Sequence, residues 1–149
     1  MYRRILCPTD GDAPDATEHA IAVAERDDAE LHLLYVVDSD VYAAYGGDEY
    51  VHESEGLEAA LEHRGVDTLE AAAEQASEAG VETVREIHHG IPHEAILEYA
   101  DDADVDLLVM GSKARSGEYR RLLGSVTDRV VRLADRPVTV VKTPVESGE

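Results

Sequence analysis

The sequence predicts an α/β protein: a single doubly wound, five-stranded parallel sheet with helices on both faces. Three observations lead there. Five short runs rich in apolar and β-branched residues alternate with stretches of helical periodicity, the signature of successive strand–helix units. Several of those runs are nearly continuous in apolar residues, which suits strands buried on both faces of a parallel sheet. Residues 110–126 (MGSKARSGEYRRLLGSV) then read as a strand end, a polar loop bounded by glycines, and a helix start.

The elements follow in order. Residues 3–7 form a first strand that ends in the turn Pro8-Thr9-Asp10. Asp12 is placed to cap a first helix, with Pro14 tolerated in its first turn and Ala16, Ala20, Val23 and Ala24 along one side. Residues 30–37 are the second strand, apolar after Glu30 except for His32. Residues 39–56 lack pattern and hold Tyr42, Tyr45, Gly46, Gly47 and Tyr50, so they read as a mobile excursion. Residues 57–79 are rich in Ala and Glu and helical, with Gly65 a weak point. Residues 81–88 alternate Val81, Thr83, Arg85, Ile87 against Glu82, Val84, Glu86, His88, as an outer strand does. Gly90-Ile91-Pro92 opens a third helix through residue 100. Residues 105–110 are the fourth strand, interrupted only by Asp106. Val126, Val130 and Leu133 mark the fourth helix, residues 137–142 the fifth strand, and residues 143–149 a frayed tail. No repeat or linker breaks the chain, so its 149 residues make one domain over 1–149, large enough to bury roughly 70% of its unfolded surface.

The loop after the fourth strand carries the chemistry. Glycines let a backbone approach an anion closely, and the first N–H groups of a helix lack internal partners and point outward. Ser125 with Asp128 three residues on fits a capping box and fixes the helix start. Residues 113–136 hold seven basic and three acidic side chains, a local +4 inside a chain of net charge −20. Lys113 and Arg115 lie in the loop and face the anion. Arg129, Arg132 and Arg136 recur at helical spacing and read as a solvated face paired with acids.

Acidity dominates the composition: 33 Asp and Glu against 13 Lys and Arg, with no Phe or Trp. Spread over every helix, these charges repel at low salt and are screened in concentrated salt, so the surface reads as adaptation to a salt-rich, halophilic cytoplasm. The same charge argues against nucleic acid or an anionic membrane as partner. One cysteine, Cys7, rules out an internal disulfide and fits a reducing compartment; it reads as a small buried core residue. With no 18-residue apolar run and no apolar stretch of a leader behind Met1-Tyr2-Arg3-Arg4, a soluble cytoplasmic protein is expected.

The spacing Gly111-x2-Ala114-x9-Gly124-Ser125 resembles the motif of the universal stress protein (UspA-like) family, Gly-x2-Gly-x9-Gly-(Ser/Thr). The resemblance runs over nearly the whole chain: Ile5 to Asp10 (ILCPTD), Leu34 to Asp38 (LYVVD), Gly90-Ile91-Pro92, and Pro137 to Val141 (PVTVV). It implies strand order 3-2-1-4-5 in an adenine nucleotide alpha-hydrolase-like fold, with the ligand at the carboxyl ends of the first and fourth strands, where the order reverses. Asp10 and Gly111 then face each other across that crevice. The resemblance further implies that Pro8, Thr9, Asp10 and Val36 line the adenosine, with Asp10 accepting from ribose hydroxyls. Met110, Gly111, Gly124, Ser125, Val126 and Thr127 then form the phosphate side. The phosphates rest on the backbone of Gly111-Ser112 and of Gly124 to Val126, near Lys113 or Arg115. ATP, with Mg or Mn, is the expected ligand, and the protein is a nucleotide-dependent stress-response switch. No residue in the loop is an evident general base, so any hydrolysis is slow. The fifth strand, apolar on both faces at Val138 to Val141, pairs with its twin in a homodimer.

Ala114 departs from the motif. Where that position needs φ > 0 alanine is strained; where it needs only closeness a methyl is the smallest intrusion. The departure supports the alternative, a dimeric interaction protein of the same fold that binds no nucleotide. Other chemistries find no motif. Neither Gly-x-Gly-x-x-Gly after the first strand, nor a P-loop, nor Gly-x-Ser-x-Gly occurs. The run Asp101, Asp102, Asp104, Asp106 lacks the glycine and terminal glutamate of a calcium loop. His88, His89 and His93 invite a zinc reading, but His88 and His89 point to opposite faces of a strand and cannot share an ion without a kink.

Overall fold

The computed structural model describes residues 1–11, 13–39, 51–112 and 124–142. The strands β1 (Arg4–Pro8), β2 (Glu30–Asp38), β3 (Thr83–Gly90), β4 (Leu107–Gly111) and β5 (Val138–Val141) alternate with the helices α1 (Pro14–Asp27), α2 (Val51–Glu78), α3 (Pro92–Asp102) and α4 (Ser125–Leu133). All strand pairs are parallel and the sheet order is β3-β2-β1-β4-β5, the order the resemblance implied.

Alternation along the strands sends side chains into two cores. Ile5, Cys7, Leu31, Leu33, Tyr35 and Val109 face α1 and α2, where Ala16, Ala20, Ala24, Leu69, Ala72 and Ala76 meet them. Leu6, Leu34, Leu108 and Met110 face α3 and α4, meeting Ile96, Tyr99, Ala100 and Val130. Small alanines on α1 and α2 bring those helices close to the sheet. Gly65 brings α2 closer still: a Cβ there would lie 2.7 Å from Cδ1 of the buried Tyr35 ring. The residue that local propensity marks as a weak point is thus a close-packing residue.

Several local expectations shift. The second helix begins at Val51, within the segment read as an excursion; residues 40–50 lie outside the described residues, as do Asp12 and the tail 143–149. Ala13 stands at the N-cap of α1, with Pro14 behind it. The third strand starts at Thr83 because the N–H groups of Ala79, Gly80 and Val81 first fold back onto Ala76 and Ser77, with Gly80 at φ +77°. Gly124, at φ −70° and ψ 164°, caps α4; Ser125 lies inside the helix, one position too late for the capping box, and no side chain caps that end.

Two long-range polar ties set the sheet's amino-terminal end. Arg136 leaves α4 altogether, because that helix stops at Leu133. Its guanidinium donates to the carbonyls of Ala100 and Val105 and to the Asp101 carboxylate, so it clamps the α3–β4 turn instead of lying in solvent. Arg132 does pair with Asp128 one turn away, at 3.0 Å. Asp106 accepts from the N–H groups of Arg3 at 2.7 Å and Arg4 at 3.1 Å, joining the starts of β1 and β4. The Arg3 N–H bond above all holds its carboxyl below the usual carboxylate range. A lowered folded-state pKa contributes stability that is complete above the unfolded value of about 3.9 and is lost as pH falls through the folded value. Asp106→Ala is therefore expected to lower the urea midpoint at pH 7 and to converge with the parent below about pH 4. A gap of constant size down to pH 2 would refute this.

Candidate functional site

The sheet order reverses between β1 and β4, so their carboxyl ends open a crevice at which both following connections diverge. On the β1 side stand Pro8, Thr9 and Asp10, all half-buried. The Thr9 N–H donates to the Leu34 carbonyl at 2.8 Å, and its hydroxyl accepts from the Gly11 N–H at 3.3 Å. Gly11, at φ +90°, turns the chain toward α1. Val36 is half-buried near the end of β2 and packs against the α3–α4 core.

On the β4 side Met110 is buried and Gly111 meets α1 directly: a Cβ at Gly111 would lie 2.5 Å from that of Ala13. Glycine is required here for closeness between the β4 end and the α1 start. The Gly111 carbonyl accepts from the Thr127 hydroxyl at 2.8 Å, which anchors the first turn of α4 to β4. The buried Ser112 continues the anchor. Its N–H donates to the Val141 carbonyl at 3.0 Å, and its carbonyl accepts from the Gly124 N–H at 3.1 Å. The chain leaves β4 and returns at Gly124 to the same place.

These bonds bring together Gly111, Ser112, Gly124 and the first turn of α4, with Asp10 on the β1 side of the crevice. The Gly124 carbonyl accepts from the Asp128 N–H at 2.9 Å, so the helix ladder begins there. The N–H groups of Ser125, Val126 and Thr127 precede that first bond, where helices present donors to anions. Ser125 is exposed, Val126 half-buried and Thr127 buried. Lys113, Ala114 and Arg115 lie outside the described residues.

Sequence reasoning missed three residues here. Ala13 sets the depth at Gly111. Arg64 of α2 reaches over to donate from Nη2 to the Asp10 carbonyl at 3.5 Å, bringing a cation to the crevice mouth. Thr68 packs near Gly11. Arg64 and Thr68 are four apart on one helix face, a pattern the sequence does show, but only the packing of α2 over the β1–α1 turn gives it meaning.

The crevice holds groups suited to binding more than to reaction. Cys7 ends beneath it, fully buried, and burial pushes its thiol up to about 12 against a weaker opposite pull from Thr17, so it stays a neutral thiol. The Thr127 hydroxyl is spent on Gly111. His88 and His89 part as strand alternation requires: the His88 ring lies edge-on to Tyr99, 5.4 Å between centroids, while His89 faces α2. His93 sits in the first turn of α3. Among the described residues, no helix is long and apolar enough to cross a membrane.

Comparison with known proteins agrees with this fold. Residues 1–142 match the universal stress protein family. Universal stress protein MJ0531 of Methanocaldococcus jannaschii is 38% identical, over 97% of this chain and 84% of that one. The structure of universal stress protein UspA from Lactobacillus plantarum superposes with a TM-score of 0.84 at 30% identity, over 94% of this chain and 97% of that one. A universal stress protein crystallised in complex with cAMP gives a TM-score of 0.71 at 25% identity, over 96% and 98%. The 3-2-1-4-5 sheet is the adenine nucleotide alpha-hydrolase-like fold of these neighbours.

Proposed function

We propose that this chain, which belongs to the universal stress protein family, binds an adenine nucleotide between the carboxyl ends of β1 and β4 and works as a nucleotide-dependent stress-response switch. One observation carries the reading. The Thr127–Gly111 bond and the Gly124–Ser112 bond fix the donor-presenting end of α4 beside a strand end where glycine alone fits. A relative of the same fold that is crystallised with cAMP supports the adenine nucleotide.

In this reading Pro8, Thr9, Asp10 and Val36 hold the adenosine, Asp10 accepting from the ribose. Met110, Gly111, Ser112, Gly124, Ser125, Val126 and Thr127 receive the phosphates, with Lys113 and Arg115 supplying charge across Ala114. ATP is the expected form. A divalent ion, Mg or Mn, is expected with ATP and when bound would neutralise phosphate charge. Hydrolysis is expected to be slow, because the described crevice pairs no nucleophile with a base. A cytoplasmic setting fits the single thiol and the acidity.

A homodimer is part of the same proposal. β5 lies at the sheet edge with Val138 packed toward one core and Val141 toward the other, leaving a short apolar strand for a twin to pair with.

Equilibrium dialysis in concentrated KCl against ATP, ADP, AMP and cyclic AMP tests the reading. Saturable binding of one nucleotide per chain is expected, with ATP retained best when Mg is present. Absence of binding to all four, with a dimer by light scattering, would favour the second reading, an interaction scaffold, for which Ala114 speaks.

A further inference from the structure

One of the chain's seven histidines lies where two carboxylates meet. Glu58 and Glu62 stand one turn apart on α2 and leave the same helix face. That face packs on β3, whose alternation turns His89 toward it. The His89 ring sits between the two acids, with Nδ1 3.2 Å from Glu58 Oε2 and Nε2 2.8 Å from Glu62 Oε1. One ligand atom from each of the three side chains lies within 4.8 Å of the others. The side chains are 34%, 38% and 47% exposed for His89, Glu58 and Glu62, so an ion can reach them from solvent. Glu62 and His89 also wall an open groove completed by Ala59, His63, Val66 and Ile87, which leaves room for water on the ion.

We propose that Glu58, Glu62 and His89 form a binding site for a divalent transition-metal ion of the zinc class. One imidazole nitrogen with carboxylate oxygens is a donor set that zinc accepts, and three protein ligands leave a position for water. Bonds of about 2.1 Å around a tetrahedral ion put ligand atoms about 3.4 Å apart, so the widest pair must contract by up to about 1.4 Å. Exposed glutamate side chains accomplish that by rotation, without moving α2 or β3. The ring gives up a proton from the nitrogen that takes the metal, and the other nitrogen keeps its N–H for the remaining glutamate oxygens, which fixes the ring orientation. Magnesium and calcium prefer all-oxygen shells and compete poorly for an imidazole. The site is separate from any ion riding on nucleotide phosphates, because β2 lies between β3 and β1. Occupancy ties the long helix α2 to the outermost strand.

The competing occupant is a proton: a charged His89 ring bridging two acids, with no role for metal. Titration of the nucleotide-free full chain with Zn(II), and with Co(II) read by its visible absorption, separates the two. The medium is concentrated KCl with millimolar Mg, to saturate diffuse carboxylate binding on the acidic surface. One saturable equivalent of Zn(II) is expected, with a Co(II) band of low-symmetry coordination. His89→Ala and Glu62→Gln are each expected to weaken it by about 10- to 100-fold or more, while His88→Ala, on the opposite sheet face, leaves it unchanged. Failure to bind Zn(II) above the Mg background would overturn the proposal. So would affinity that His89→Ala leaves intact, or a loss in His88→Ala as large as in His89→Ala.

Discussion

Mg-ATP at about one hundred times its dissociation constant is expected to raise the melting midpoint by roughly 5–10 °C. Such an excess stabilises the folded state by about 2.7 kcal/mol, and each kcal/mol moves the midpoint of a domain this size by about 2–4 °C. Gly124→Val is expected to remove the shift. Gly124 is buried at the return of the loop, with φ −70° and ψ 164°, an extended backbone that valine adopts readily. In the proposed site, valine's branched side chain would occupy the space given to phosphate without demanding a new backbone. A urea midpoint without nucleotide checks that the variant still folds. A folded Gly124→Val that keeps the full thermal shift would take the α4 end out of the site. A parent protein with no shift would mean that Ala114 closes the loop to nucleotide and that the fold serves as a scaffold.

Gly65→Leu is expected to cost about 3 kcal/mol, the upper part of the usual range for overpacking a core. The reason is geometric: Cβ alone would lie 2.7, 3.0 and 3.1 Å from three atoms of the Tyr35 ring. Tyr35 is 5% exposed and packed in the α1–α2 core, so the ring has nowhere to go. Gly65→Ala separates two opposing effects. Alanine favours a helix interior by about 1 kcal/mol over glycine, while its methyl pushes on the ring, so a net loss of about 1 kcal/mol is expected. Urea midpoints of the two variants provide the measurement. A Gly65→Ala protein more stable than its parent would show that Gly65 is a helix defect after all and not a packing residue.

What was legible in the sequence was what a few neighbouring residues determine. The apolar run before Gly111 and the periodic Val126 and Val130 after Gly124 placed β4 and α4. Apolar continuity placed β2, and alternation placed β3 at the edge. Details that depend on distant partners were not legible. Gly65 looked weak because Tyr35 is absent from its local pattern. Arg136 looked like one more arginine of α4, yet its donors go to Ala100, Val105 and Asp101. The Val51 start of α2 was hidden because residues 51–56 carry no apolar periodicity. Ser125 and Asp128 made a plausible cap, but Gly124 took the N-cap position and Thr127 spent its hydroxyl on β4. The Glu58–Glu62 spacing was visible, but its histidine partner was supplied only by the packing of α2 on β3.

Gly111 has a consequence for how the molecule holds together. Its missing side chain admits Ala13 from the layer of α1, and its carbonyl holds Thr127 from the layer of α4. The two cores lie on opposite faces of the sheet. An anion seated on the first turn of α4 beside this residue would grip both layers at one point. Loosening either layer would then mean releasing the ligand. On the proposed reading, the loaded protein would open as a single cooperative unit, and that would give a partner something to read.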